Sequence, residues 1–165
     1  MENLKKVLYI FLNRYAENEE KFLHLITHLH TSQKVQAHAL LLEDNECRQK
    51  LANSGVPTTV VKGQSGLVNF LKQNNFNCVH FYDDDTVARV LLEHAPPYTT
   101  LCRTIFSAQS SAVEHKRIIN VYADQLVKQS FPNKPGEQVF HGINTNLITK
   151  EDWNFARKRY NVRGN

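Results

Sequence analysis

Residues 122–147 read Tyr-Ala-Asp-Gln-Leu-Val-Lys-Gln-Ser-Phe-Pro-Asn-Lys-Pro-Gly-Glu-Gln-Val-Phe-His-Gly-Ile-Asn-Thr-Asn-Leu. Asp124 to Lys128 alternates as a short strand does. The turn from Ser130 to Gly136 follows; its prolines and glycine stop any regular element. Gln138 to Phe140 reads as a second short strand. It ends on His141-Gly142-Ile143-Asn144, where Gly142 permits a sharp change of backbone direction. Taken alone, this is a strand-turn-strand unit of an α/β domain.

The upstream chain supplies the rest of such a domain. Val7 to Leu12 is a continuous apolar run, as in a strand covered on both faces. Glu17 to His30 places Phe22, Leu25, Ile26 and Leu29 at helical spacing. Val35 to Leu42 is a second strand, and Asp44 is placed to cap a short helix ended by Gly55. Thr58 to Lys62, Cys78 to Tyr82 and Tyr98 to Cys102 read as further strands. Helices are expected over Ser65 to Lys72 and Asp83 to His94, the latter stopped by Pro96-Pro97. Ser111 with Glu114 has the pattern of a capping box opening a helix to about Val121. A last helix is expected from about Glu151, capped by Thr149.

Strands alternating with helices imply right-handed βαβ units. The expected fold is α/β: a Rossmann-like, doubly wound parallel sheet with helices on both faces, in three layers and of strand order 3-2-1-4-5-6. Ligands of such sheets bind beyond the carboxyl ends of the strands, at the switch point. That points to Asn13 to Glu17, Tyr82 to Asp85 and Cys102 to Phe106.

At 165 residues the chain is long enough for one full core, and 22% charged residues suit a globular protein. The opening apolar run, Val7 to Leu12, is far shorter than a membrane span and lacks the features of a secretion signal. Three widely spaced cysteines form no zinc or CxxC pattern, which fits a reducing cytoplasm. The net charge of +4 is modest, and part of it sits in Arg157-Lys158-Arg159 and Arg163. Such a tail suits an anionic membrane surface or an exposed linker helix. Nothing in the charge pattern calls for nucleic acid.

The order Ala123-Asp124, Leu126-Val127, Ser130, Lys134, Val139, His141-Gly142-Ile143-Asn144 and Leu147 resembles the end of the first domain of retaining group 1 (family 4) glycosyltransferases of the GT-B fold. His141 stands where the family usually has Asn, and Asn144 where it has Asp. Asn77-Cys78-Val79-His80 resembles the family's Asp-x-x-His. Thr100 to Thr104 aligns with a strand that ends Thr-x-His in the family, with Arg103 or Cys102 in the histidine's place. The family's Gly-Gly pair after the first strand is missing. The resemblance implies an acceptor-side domain over residues 1–150, with 151–165 a helix and linker toward a second domain that carries most of the donor site. It implies transfer of a sugar from a nucleotide-sugar donor to a glycan or lipid-linked acceptor in polysaccharide synthesis. The donor would bind only with the second domain present, and this chain alone would be inactive. The implied location is the cytoplasm, at the inner face of the membrane, with peripheral membrane contact.

The candidate binding residues are Asn13, Arg14, His80, Asp83, Asp84, Arg103, His141 and Asn144, with no cofactor and no metal. Asn13 and Arg14 offer polar contacts or belong to a plain solvated loop. Asp83-Asp84-Asp85 either caps the next helix or holds a divalent cation as Asp-x-Asp does in the GT-A fold. His80 lines the cleft or is a satisfied histidine of the sheet. Arg103 is expected to face the cleft and clamp an anionic group, and it cannot serve as a base. His24 and His28 with Glu20 lie one turn apart, as a metal pair or a solvated face. The competing class of function is a non-catalytic Rossmann-like binding or interaction module.

Overall fold

Apolar, β-rich runs between amphipathic segments bury both faces of a sheet, and here they do so seven strands wide. The computed structural model describes residues 4–12, 16–82, 84–107, 115–123, 125–132 and 136–138. The elements run β1 (Lys6–Phe11), α1 (Ala16–Thr31), β2 (Gln36–Leu41), α2 (Glu46–Asn53), β3 (Thr58–Val60) and α3 (Gly63–Gln73). They continue with β4 (Cys78–Tyr82), α4 (Asp85–His94), β5 (Thr100–Ile105), β6 (Ile118–Tyr122), α5 (Gln125–Gln129) and β7 (Glu137–Gln138).

Every pairing is parallel, in the order β3-β2-β1-β4-β5-β6-β7. The expected doubly wound, Rossmann-like sheet is thus present. The chain lays strands outward from β1 to β3, then returns and builds from β4 to β7. Right-handed crossovers put the helices of the two directions on opposite faces. The register agrees. Tyr9 lies beside Ala39 and His80 on one face, and Leu8 beside His38 and Val79 on the other.

Each face has its own aromatic seal. On the Tyr9 face, Phe22 of α1 is fully buried and meets Tyr82 at 4.3 Å, His80 at 4.5 Å, Tyr9 at 5.6 Å and Phe11 at 5.8 Å between ring centroids. On the other face, Phe70 of α3 stacks on Phe76 at 5.9 Å, and both contact His38. His38 bonds Thr59 Oγ1 at 2.9 Å, and burial lowers its pKa. Helix α1 packs beside α2, and α3 beside α4.

Residues 118–122 depart from expectation. They form β6, not the end of a helix. Ile118, Asn120 and Tyr122 are buried while Ile119 is 49% exposed, a period of two that the β5 edge imposes by pairing. Asp124 to Lys128, expected as a strand, overlaps the short helix α5. With β6 already paired to β5, Val127 instead packs with Ile105, Tyr122 and Phe131.

The second short strand, expected over Gln138 to Phe140, begins one residue earlier as β7 over Glu137–Gln138, and Val139 and Phe140 lie outside the described residues. Gly136 at its entry has φ 153°, and a Cβ there would come within 2.6 Å of the Asn120 carbonyl oxygen. Strand β5 starts two residues late, at Thr100, and runs on to Ile105. The α2 cap is Asn45, whose side chain accepts from the Cys47 N–H, while Asp44 pairs with Arg48 at 2.8 Å. The expected helix from Glu151, and with it the division at residue 150, lies outside the described residues.

Phe22 holds α1 to the sheet, so Phe22→Ala is expected to cost about 3–5 kcal/mol of unfolding free energy in urea denaturation. A loss below about 1 kcal/mol would show that the α1 face is not packed as described.

Candidate functional site

Strand order reverses between β1 and β4, so their carboxyl ends open the crevice where ligands of such sheets bind. A cavity of about 330 Å³ lies at this edge, lined by Leu12, Leu42, Gly63, Gln64, Asp84 and Thr86 among others. It sits where β1 and β2 end and between the first turns of α3 and α4.

Gly63 makes the α3 side of the cavity possible. Its φ of 62° is left-handed and nothing lies within 4 Å of where a Cβ would stand. Lys62, at the N-cap, makes no side-chain capping bond, and no acidic residue lies in the first turn of α3. Orphan N–H groups of a first turn need acceptors. Sequence reasoning began this helix at Ser65 and so missed Gly63, Gln64 and also Thr86. The available signal was Lys62-Gly63, a turn dipeptide directly after a strand.

The α4 side is built by the acidic turn. Asp84 is the N-cap, with extended backbone, and its Oδ1 accepts from the Val87 N–H at 2.8 Å. Asp85 opens the helix, its Oδ1 3.7 Å from Arg103 Nη1. Of the two readings of the triplet, capping thus describes Asp84, and Asp85 faces a cation. Asp83 lies outside the described residues, as do Asn13, Arg14, His141 and Asn144. Among the described residues no group of three or more histidines, cysteines or carboxylates gathers as a metal site.

Arg103 corrects an expectation. Its side chain is 0% exposed and does not face the cleft. Alternation along β5 puts Cys102 and Thr104 on the α1 side and Arg103 on the opposite face. There its Nε and Nη2 donate to Asn120 Oδ1 at 3.1 and 2.9 Å, Asn120 being its register partner on β6. A buried guanidinium needs such partners, because its desolvation cost is large. Arg103 therefore ties β5, β6 and the first turn of α4 together.

His80 lies on the α1 side, bonded to Thr104 Oγ1 at 2.7 Å and enclosed by the rings of Phe22 and Tyr9. It occupies the sheet, as the structural one of its two readings requires. Its neighbours are held neutral. Burial, then Cys78, pushes the Cys102 thiol up to about 12. Burial raises the Cys78 thiol, and burial with both cysteines raises Tyr9. A thiol is a nucleophile only as thiolate, so neither cysteine is one at neutral pH. His24 and Glu20 line a separate groove between α1 and α2 with Lys50.

No protein-family model matches the chain, and no curated protein matches it significantly. Solved structures do match. A glycosyltransferase from Rickettsia africae superposes with a TM-score of 0.68 at 11% identity, over 99% of this chain and 51% of that one. HepE of Anabaena, in its complex with UDP-glucose, superposes with a TM-score of 0.66 at 11% identity, over 98% of this chain and 51% of that one. The chain thus spans about half the length of these proteins and shares the fold of that half.

Removing the Asp84 cap by Asp84→Ala is expected to cost about 1 kcal/mol, or about 2–4 °C in melting temperature for a chain of this size. The loss should be the same with and without Mn²⁺. A Mn²⁺-induced stabilisation of the parent that disappears in the variant would establish a metal role instead.

Proposed function

We propose that this chain is the N-terminal, acceptor-side domain of a retaining GT-B glycosyltransferase. Residues 1–150 form the domain, and 151–165 lead toward a second α/β domain. The whole enzyme transfers a sugar from a nucleotide-sugar donor to a glycan or lipid-linked acceptor in polysaccharide synthesis. It works in the cytoplasm, at the inner face of the membrane, where the basic residues 157–163 meet lipid headgroups.

The observation that carries this reading is the extent of the structural match. Nearly all of this chain superposes on half of a glycosyltransferase and on half of a protein crystallised with UDP-glucose. A half-length match is what one domain of a two-domain transferase would give. The carboxyl-edge cavity fits the acceptor role. The Gln64 amide and the Thr86 hydroxyl line it and suit sugar hydroxyls, which both donate and accept. Glu43 adds a carboxylate at the same place.

The sequence of residues 13–20 argues for inactivity of the chain alone. Pyrophosphate binding needs backbone N–H groups approached closely, usually at glycine. The sequence from Asn13 to Glu17 has none, and Glu17, Glu19 and Glu20 stand in the first turns of α1. Each adjacent carboxylate repels a phosphate by roughly 1 kcal/mol or more at contact distance. In a two-domain transferase the donor is held by the second domain, and the reacting groups meet only on closure.

The burial of Arg103 favours one other reading. The family's histidine lies by the reacting sugar, whereas Arg103 is committed to Asn120 and Asp85. A non-catalytic binding module of the same fold would tolerate that exchange.

Calorimetric titration of the chain with UDP-glucose, UDP-galactose and GDP-mannose is expected to give dissociation constants of about 1 mM or weaker, with no transfer. Micromolar affinity without metal would overturn the donor assignment. Micromolar affinity that requires Mn²⁺ would indicate a GT-A type of site. The coding sequence after Asn165 is expected to encode a second α/β domain with two spaced glutamates. A stop codon there would favour the binding module.

A further inference from the structure

The amino-terminal edge of the sheet, opposite the crevice, carries an open groove of about 900 Å³. It runs past the starts of β1 and β2 and the C-terminal ends of α1 and α3. We propose that this groove is a binding site for a neutral oligosaccharide. The proposal goes beyond the transferase reading and does not depend on it.

The lining chemistry is the first support. Gln33, Gln36, Gln73, Asn74 and Asn75 bring five carboxamides to one groove. A carboxamide presents a donor and an acceptor side by side, as a sugar hydroxyl also does. Among the described lining residues there is no carboxylate, and Lys6 is the one formally charged side chain. A cation would find no counter-charge there, and a polyanion would find a single lysine. His38 at the groove is held neutral by burial. Such a surface suits an uncharged, polyhydroxylated ligand.

Apolar surface interleaves with the amides, through Leu4, Val35 and Phe76. Tyr98 stands beside the groove, 66% exposed, with its hydroxyl donating to Asn75 Oδ1 at 3.1 Å. That bond occupies the Asn75 oxygen and leaves its NH₂ to donate. A flat, exposed aromatic with one polar tip is a suitable platform for the apolar face of a sugar ring.

The backbone at Gln33 is the second support. Its φ is 53°, the one positive value at a non-glycine residue among those described. Its N–H bonds the His30 carbonyl and the Lys34 N–H bonds the Leu29 carbonyl, which closes α1 in a Schellman turn. Glycine is the usual residue at that position because a side chain is strained there. A strained residue points to a use for its side chain. Gln33 is one of the residues lining the groove. In the same wall the Nδ1 of His30 is shut off from solvent without a hydrogen-bond partner. A ligand hydroxyl reached by a small ring rotation would satisfy it.

The test is chemical-shift mapping of the full chain with maltohexaose and cellohexaose at about 10 mM, with inorganic phosphate as the anionic control. The expected result is saturable shifts with at least one oligosaccharide, at the amides of Gln36, Gln73 and Asn75, little changed by salt. Tyr98→Ala and Gln33→Gly should each weaken binding several-fold. Gln33→Gly should do so while raising the melting temperature by about 2 °C, a combination that a purely structural glutamine would not give. Absence of shifts with both sugars would overturn the proposal. So would a groove that responds only to phosphate, shifts confined to Gln64 and Thr86, or a Gln33→Gly variant that binds as the parent does.

Discussion

A guanidinium with no solvent contact must be matched where it lies, and Arg103 is matched by two elements at once. Asn120 receives its Nε and Nη2 from the neighbouring strand, and Asp85 faces its Nη1 from the start of α4. A second arginine acts at the other end of that helix. Arg117 donates through Nη1 to the Leu92 carbonyl and through Nη2 to those of Ala95 and Pro96. Helix ends carry opposite partial charges, and both are met: carboxylates at the first turn, a guanidinium at the last carbonyls. Helix α4 is thereby tied to β5 at its first turn and to the residue entering β6 at its last, and its first turn forms one wall of the carboxyl-edge cavity.

The rest of the site follows from this anchoring and from the reversal of strand order. Helices α1 and α2 seal one face and α3 and α4 the other, so the first turns of α3 and α4 meet over the ends of β1 and β2. One first turn is capped by Asp84 and the other, at Gly63, has no side-chain cap. The α1 face has a different character. His80 is bonded to Thr104 beneath Phe22, beside thiols that burial keeps protonated. That face is framework.

Much of this was legible in the sequence. A continuous apolar run marked β1, because both faces of a parallel sheet are covered, short apolar-rich segments marked β2 and β4, and helical spacing marked α1 and α4. Strand β6 was not legible from its own residues. Ser111 with Glu114 predicts a helix running to about Val121; residues 111–114 lie outside the described residues, and Ile118 to Tyr122 form a strand because the β5 edge needs a partner. Helix α5 has five residues, too few for periodicity to declare itself. The α2 cap was placed one residue early, at Asp44, and the triplet left the α4 cap open among three aspartates, since adjacent Asp and Asn residues are equivalent until the backbone chooses. Arg103 was misplaced for a related reason. Position in the chain gives its height on the strand, but register gives its face. The groove at the amino edge left no pattern at all, because its residues come from helix ends and strand starts far apart in sequence.

A double-mutant cycle between Arg103 and Asn120, read by urea unfolding, tests most directly whether the buried guanidinium organises this half of the molecule. Arg103→Met alone is expected to cost about 3–5 kcal/mol, since it strands two polar partners. Asn120→Val should cost much less in the Arg103→Met background than in the parent, giving a coupling of about 1.5 kcal/mol or more. Losses that add to within about 0.5 kcal/mol would contradict the anchoring role of Arg103.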